Sequence, residues 1–335
     1  MRYALTWQEA TLRTARDLTP DIREIEIVPA GGVRPYAPGS HINIALLIDG
    51  QPDHRSYSLV GRSGGDCYRI AVRRQPDSRG GSARMHALQP GARLEISDPH
   101  NLFELTLGQS EYLLVAGGIG ITPLIGMAET LLARAANFRF LYAGRSRAEM
   151  AFLDRLQGLL GDRLTICASD EGSRLDIGRE ISRLSPQAEL YLCGPLRLVD
   201  AFRAAWAQAG RHPAGLRIET FGSSGAFAPE PFTVKIPELD LSVTVPENRS
   251  MLEALAQAGV EVISDCRRGE CGLCALDVLG IEGALDHRDV FFSDEEKHQG
   301  AKICACVSRA RGAVTVSCGY RPDQNIRPFQ SSAAA

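Results

Sequence analysis

The sequence predicts a multidomain chain: an antiparallel β-barrel, an α/β unit on a parallel sheet, and a small α+β unit built around a cysteine loop. Three observations predict it. The 335 residues exceed one ordinary hydrophobic core. Near residue 107 the apolar pattern changes from period two to short apolar runs alternating with helical stretches. Six of the nine cysteines fall after residue 265. At 44% hydrophobic and 23% charged, the chain has the composition of a folded protein rather than a disordered one. The expected boundaries are 1–106, 107–226 and 227–335.

In the first unit IREIEIVP (22–29), HINIALLI (41–48), HRSYSLVG (54–61), CYRIAVRR (67–74) and ARLEIS (92–97) alternate as half-buried strands. Gly, Pro and Asp clusters separate them, as in an antiparallel barrel. In the second unit EYLLVAGG, FRFLYAG, LTICAS and ELYLCGP are short buried strands, and MAETLLARAA and LRLVDAFRAAWAQAG are helices between them. Strand–helix alternation of this kind builds a parallel sheet. The third unit opens with a hairpin, FTVKIP then LSVTVP, followed by a short helix, SMLEALAQAG, and the cysteine loop. The stretch Gly222-Ser-Ser-Gly-Ala-Phe-Ala-Pro-Glu-Pro231 reads as a linker by composition.

Charge excludes some partners. The net charge is −3, without the basic excess a polyanion binder needs, so nucleic acid is not expected. Residues 231–335 hold 11 Lys/Arg and 15 Asp/Glu, net −4, which leaves the rest of the chain near neutral. An acidic third unit suggests a docking face for a basic partner and salt-sensitive association. The N-terminal MRYALTWQEATLR lacks the apolar core of a signal peptide. The uncharged run Tyr112–Ala128 carries four glycines and a proline, which favours a strand and glycine turn over a membrane span. A cytoplasmic location, no membrane and thiols rather than disulfides are therefore expected.

The strongest chemical signal is Cys266-Arg-Arg-Gly-Glu-Cys271-Gly-Leu-Cys274, with further cysteines at 304 and 306. C-x4-C-x2-C is the spacing of a plant-type [2Fe–2S] cluster, which needs four thiolates from one loop and one distant element. A zinc site is the alternative, but its usual second knuckle is missing. Gly269 and Gly272 let the loop wrap closely. Cys318 sits in an apparent strand, AVTVSCG, and suits packing. Asp286-His287-Arg288-Asp289 reads as a solvated surface turn, and the seven histidines form no evident cluster.

Two further motifs are weaker alone. Arg55-Ser56-Tyr57-Ser58 sits on a strand, and the same pattern suits any half-buried strand with a surface arginine. Some 20 residues later come Ala71-Val72-Arg73 and then Arg79-Gly80-Gly81-Ser82 before a helix, where backbone N–H groups can meet a phosphate. Gly117-Gly118-Ile-Gly120-Ile-Thr122-Pro123 follows a strand and opens a helix. Its glycines either make a structural turn or admit a pyrophosphate at the helix start. Cys193-Gly194-Pro195 ends a later strand, and Cys193 reads alternatively as a buried thiol. Arg145-Ser146-Arg147 follows FRFLYAG, and Phe221 closes the unit.

Together these motifs make the chain resemble the phthalate dioxygenase reductase family over nearly its whole length. The resemblance implies an FMN-binding barrel, a nicotinamide-binding lobe and a β-grasp ferredoxin. It places the phosphate of FMN at Arg55 and at Arg79-Gly80-Gly81-Ser82, and the isoalloxazine among Ser56, Tyr57, Ser58, the backbone of Ala71–Arg73 and Phe221. It places NADH at Gly117, Gly118, Gly120, Thr122, Pro123, Arg145, Ser146, Cys193, Gly194 and Pro195, with Thr122 and Cys193 beside the reacting atoms; NADPH stays open. In related reductases the last ligand cysteine precedes a small residue and Ser-Arg-Ala. Cys306-Val-Ser-Arg-Ala matches, so the implied ligands are Cys266, Cys271, Cys274 and Cys306. The implied function is the reductase component of a two-component Rieske-type aromatic oxygenase or demethylase. A reductase for a cytochrome P450 or other acceptor, or a non-enzymatic electron carrier or redox sensor, is the competing expectation.

Overall fold

The protein is described by a computed structural model covering residues 6–48, 51–75, 80–221, 225 and 227–318. It divides into two compact units, 1–224 and 225–335. The first unit contains two of the three sheets.

The first sheet comprises β1 (Trp7–Thr19), β2 (Ile22–Pro29), β3 (Ser40–Ile48), β4 (Gln51–Ser58), β5 (Tyr68–Arg73), β6 (Arg93–Ser97) and β7 (His100–Asn101), with α1 (Gly81–Ala87) between β5 and β6. Its antiparallel ladder runs β4-β3-β6-β1-β2-β5, with β7 on β3. Period-two patterning explains β2, whose Ile22, Ile25, Ile27 and Pro29 face inward. Strand β1 breaks that rule and is one of the strands that sequence patterning misses. Of its 13 residues only Ala10, Leu12 and Thr19 are buried, so charges and threonines mask its alternation.

The second sheet comprises β8 (Tyr112–Gly117), β9 (Phe138–Gly144), β10 (Leu164–Ala168), β11 (Glu189–Cys193) and β12 (Leu216–Glu219), all parallel in the order β10-β9-β8-β11-β12. Helices α2 (Ile121–Ala133), α3 (Leu153–Leu160), α4 (Ile177–Ser182) and α5 (Leu196–Gln208) connect them. All six residues of β8 are buried, as expected of a central parallel strand. The uncharged run around it is split between β8, a glycine turn and α2. Among the described residues no helix is long and apolar enough to cross a membrane. Ile22, Val60, Ala71, Phe103 and Leu105 from the barrel join the core formed by β8, β9 and α2, so the two sheets share buried contacts.

The second unit holds β13 (Phe232–Ile236), β14 (Leu241–Val245), α6 (Met251–Gln257), β15 (Ala275–Asp286), α7 (Asp294–Gln299), β16 (Lys302–Cys304) and β17 (Arg309–Ser317). The mixed sheet runs β14-β13-β17-β15-β16, with β13 and β17 parallel. Helix α6 packs its buried Met251, Leu252, Ala254 and Leu255 on the core of this sheet. Both α6 and α7 begin with a reciprocal capping box, Ser250 with Glu253 and Ser293 with Glu296.

Two expectations are corrected here. Asp286-His287-Arg288-Asp289 is not a solvated turn. Asp286, Arg288 and Asp289 are at most 6% exposed. Arg288 Nη2 donates to Asp286 Oδ2 at 2.6 Å and to the Phe227 carbonyl at 3.1 Å. Asp289 accepts from Ser308 Oγ at 2.9 Å and from the Phe292 N–H at 3.0 Å. Burial alone would raise its carboxyl, but His287, Phe292, Lys297 and Ser308 together hold it below its ordinary value. A charged run is buried when its partners lie far off in sequence, as Ser308 and Phe227 do. Nor are residues 227–231 a free linker. Arg309 Nη2 donates to the Glu230 carbonyl, Arg311 pairs with the Glu230 carboxylate at 2.6 Å, and the Arg311 guanidinium lies over the Phe227 ring. Gly225 has no room for a side chain, since a Cβ there would lie 2.3 Å from Arg288 Nε.

Removing one partner of a buried ion pair strands the other charge. Arg288→Ala is therefore expected to lower the stability of the second unit by about 3 kcal/mol, read as a lower urea midpoint for loss of its tertiary signal. An unchanged midpoint would contradict the assignment of this pair as structural.

Candidate functional site

The barrel ladder has two ends, β4 and β5, and they return to each other just past β4, where Val60 N–H donates to the Arg69 carbonyl at 2.8 Å. Arg55, Ser56, Tyr57 and Ser58 lie on β4, and Ala71, Val72 and Arg73 on β5. The two segments singled out from sequence therefore flank one seam. Arg55 Nη1 is held by Asp53 Oδ2 at 2.6 Å and the His54 carbonyl at 2.8 Å. Its Nη2 is buried with no partner among the described residues. The guanidinium covers Gly81 at the start of α1, where a Cβ would lie 2.9 Å from Arg55 Nε. No side chain caps that helix start, which follows Gly80. Ser82 Oγ is engaged with the Gln75 backbone instead. Arg79 lies outside the described residues. Ser56 Oγ donates to Asn43 Oδ1, and burial pushes the Tyr57 phenol up. The Val72 carbonyl meets His86 Nε2 at 2.9 Å.

The glycine turn after β8 packs against the end of β11. A Cβ on Gly117 would lie 2.7 Å from Pro195 Cδ, and one on Gly120 2.1 Å from the Cys193 carbonyl oxygen. Gly194 in turn approaches Gly117. Gly117, Gly120 and Gly194 thus serve backbone-to-backbone packing, and this contact explains why the two motifs occur together. Gly118 is different: it adopts φ 54°, and the nearest atom to its missing side chain is Arg73 Nη1 at 3.8 Å. Thr122 is 2% exposed and returns its hydroxyl to the Ile119 carbonyl at 3.1 Å; Pro123 is buried in the first turn of α2. Cys193 is fully buried and stands beside Glu219 in the β11–β12 register.

Glu219 is the residue that sequence reading passes over. It is 1% exposed, and Ser58 Oγ donates to its Oε2 at 3.4 Å, joining the β4 segment to the end of β12. The signal was an acid at the carboxyl end of a parallel strand, where ligands of α/β sheets sit. The structure therefore gathers Ser58, Arg73, Gly118, Gly120, Thr122, Cys193 and Glu219 at one junction, with Phe221 two residues past Glu219 and 36% exposed. His41 and His100 face each other across β3 and β7 with ring centroids 6.3 Å apart, a pair rather than a cluster.

Arg145 and Ser146 stand one strand away, past β9. Arg145 is 78% exposed and only 3.9 Å from Glu149, whose other oxygen is 3.9 Å from Arg73. Arg147 is engaged by Glu171 at 2.8 Å.

In the second unit the cysteine loop wraps around sulfur. Cys266 Sγ accepts the N–H groups of Arg268, Glu270 and Cys271, each at 3.4 Å. Burial raises this thiol, and the three donors oppose that shift. Cys266 and Cys271 share a hydrogen bond. Cys274 receives hydrogen bonds from Cys304 and Cys306, which hold its thiol well below the ordinary value and keep the two donors above theirs. Among the described residues no group of three His, Cys, Asp or Glu side chains is gathered closely enough to hold a metal ion. Cys266 interacts with Cys271, and Cys274 with both Cys304 and Cys306. A two-iron cluster takes two thiolates on each iron. Cys306 also accepts the Gly269 N–H of the cysteine loop, whereas Cys304 is fully buried on β16. Cys318 follows β17, half-buried against the core.

A family model for the 2Fe-2S iron-sulfur cluster binding domain matches residues 234–311. The putative toluene-4-sulfonate monooxygenase system reductase subunit of Comamonas testosteroni is 35% identical over 314 residues, covering 90% of this chain and 96% of that one. The heme-dependent oxidative N-demethylase beta subunit of Ectopseudomonas mendocina is 36% identical over 313 residues, covering 92% and 97%. The solved structure of phthalate dioxygenase reductase, a modular structure for electron transfer from pyridine nucleotides to [2Fe-2S], is similar with a TM-score of 0.73 at 30% identity over 93% of this chain and 98% of that one.

The chain belongs to the phthalate dioxygenase reductase family. Its members are NAD(P)H-dependent flavin and [2Fe–2S] oxidoreductases. The residues present fit those groups. The buried, unpartnered Arg55 Nη2 beside an uncapped helix start suits the phosphate of FMN. The three N–H groups turned onto Cys266 Sγ suit a cluster sulfur ligand.

The packing of Gly120 on Cys193 yields a test. Gly120→Ala forces the turn away from the end of β11 and is expected to lower kcat/KM for the nicotinamide donor by about 100-fold, with the flavin retained. Unchanged steady-state kinetics would show that this contact does not shape the site.

Proposed function

We propose that this chain is the reductase component of a two-component Rieske-type oxygenase or demethylase acting on an aromatic acid or a related compound. It takes reducing equivalents from NADH and delivers single electrons to the oxygenase. The observation that carries the reading is one chain uniting a flavin-type barrel, a nicotinamide-type lobe and a cysteine loop, similar over at least 90% of its length to oxygenase reductases. The 36% identity to a subunit of a heme-dependent N-demethylase favours, as a second reading, a haem-bearing terminal acceptor. The barrel and lobe are common to both.

When bound, FMN accepts two electrons as a hydride and releases them singly, which matches a one-electron iron–sulfur centre to a two-electron donor. The residues divide the remaining work. Arg55, with the backbone at Gly80, Gly81 and Ser82, holds the FMN phosphate. Ser56, Tyr57, Ser58, the Ala71–Arg73 backbone and Phe221 hold the ring. Gly118 admits the nicotinamide donor's pyrophosphate beside Arg73, while Gly117, Gly120, Gly194 and Pro195 keep the two strand ends in register. Thr122 and Cys193 wall the reacting space. They are shape and water exclusion, not acid or base, because Thr122 already spends its hydroxyl on Ile119 and Cys193 is fully buried. Glu219 steadies Ser58. Cys266, Cys271, Cys274 and Cys306 ligate the cluster.

The donor is assigned as NADH. Arg147, the cation next to the turn of Arg145 and Ser146, is occupied by Glu171, and Arg145 faces Glu149. A 2′-phosphate would meet two carboxylates there, whereas ribose hydroxyls can donate to them.

Anaerobic NADH is expected to bleach the visible absorbance of the purified holoprotein through both flavin and cluster; persistent colour would refute the reductase assignment. Cys306→Ser is expected to abolish the cluster signal, while Cys304→Ser leaves it in place. Loss of the signal in Cys304→Ser alone would reverse the assignment. For the donor, Glu171→Gln is expected to raise kcat/KM for NADPH by about tenfold, the scale of one charge-assisted contact, with NADH little changed. Equal changes for both donors would remove Glu171 from the recognition site.

A further inference from the structure

Two large apolar side chains stand exposed on the lip of the cysteine loop. Leu273, between Cys271 and Cys274, is 53% exposed, and Phe291 is 47% exposed. The Phe291 ring sits beside the chain position that precedes Leu273. A Cβ on Gly272 would lie 2.2 Å from Phe291 Cζ, so the aromatic ring lies against the backbone of the residue before Leu273. The ring is held rather than loose. The Phe291 N–H donates to the Gly269 carbonyl at 3.2 Å, and its ring meets Phe292 edge-on at 5.1 Å. Scattered exposed apolar residues are ordinary. A fixed pair on the loop that carries three proposed cluster ligands is a patch at the place where electrons must leave.

The charges near this patch in sequence have one prevailing sign at the surface. Asp265 precedes the loop, and Asp294, Glu295 and Glu296 follow Phe291 within five residues; all four are exposed. The basic residues nearby are mostly engaged. Arg268 is buried against Glu270 at 3.0 Å, and Lys297 Nζ donates to the Asp289 carbonyl at 2.6 Å. Arg267 is the exposed exception. An apolar centre with an acidic surround is complementary to an apolar spot ringed by Lys and Arg.

We infer that Leu273 and Phe291 form the electron-exit contact of this chain, and that its occupant is the oxygenase component, presenting an apolar spot with a basic rim. The inference rests on the reductase reading. Leu273→Gln and Phe291→Gln, made in the full-length holoprotein, test it with cytochrome c as the probe, a haem protein whose basic surface matches the stated chemistry. Each variant is expected to raise KM for cytochrome c about tenfold, as for a contact at the centre of an interface. NADH-driven reduction of ferricyanide, which needs no docking, and the rate at which NADH bleaches the cluster are expected to stay unchanged. Asp294→Lys is expected to raise the same KM at low ionic strength and to flatten its salt dependence. Unchanged KM in both glutamine variants would overturn the inference. So would slowed bleaching of the cluster with full cluster content by visible absorbance, since the patch would then serve the flavin of its own chain. If NADH does not bleach the cluster of the unaltered protein, the reductase reading itself fails and the inference falls with it.

Discussion

A hydride moves only between atoms held in contact, whereas a single electron crosses a gap. That difference organises the chain. Contact-distance chemistry needs its two partners fixed to a fraction of an ångström, and the structure supplies this by merging two sheets into one compact unit. Ile22, Val60 and Ala71 of the barrel are buried with β8 and α2 of the lobe. Arg73 reaches the glycine turn and Ser58 reaches Glu219. The cluster-binding sequence needs no such union, and it forms a second unit with a core of its own.

The same logic explains which parts were legible in the sequence. The cysteine spacing was legible because metal ligation demands particular residues at particular offsets. The Gly117–Pro123 turn was legible for a reason that the structure refines: most of its glycines admit a neighbouring strand end, not only a ligand. Contacts made across long sequence separations were not legible. Glu219 looks like any strand-end acid until Ser58, 161 residues earlier, is found against it. Asp286 to Asp289 look solvated until Ser308 and the Phe227 carbonyl supply their partners. Strand β1 escaped because its buried face is only three residues in thirteen.

Burying charge beside a metal loop has a structural use. Val290 and Phe291 N–H groups both converge on the Gly269 carbonyl, so the segment carrying Asp289 is stitched to the cysteine loop. Asp289 is in turn held by Ser308, two residues after Cys306. The network thus ties the loop bearing Cys266, Cys271 and Cys274 to the turn bearing Cys306, between β16 and β17. Four thiolates from two distant segments must meet one rigid inorganic core. A hydrogen-bonded network under the loop restricts both segments where apolar packing alone would permit sliding.

The surface of the second unit follows from the need to let go. A one-electron donor must meet its acceptor repeatedly, so its complex must form fast and dissociate fast. Long-range attraction raises the association rate without prolonging the complex at physiological salt. The unit's net charge of −4 across residues 231–335 serves that end. Short-range apolar contact sets orientation and lifetime, and a small patch keeps that lifetime short. Two side chains on the ligand loop are enough to orient an acceptor without holding it. A larger apolar face would tighten the complex and slow turnover, and an acidic surface with no apolar centre would attract acceptors without orienting them toward the cysteine loop.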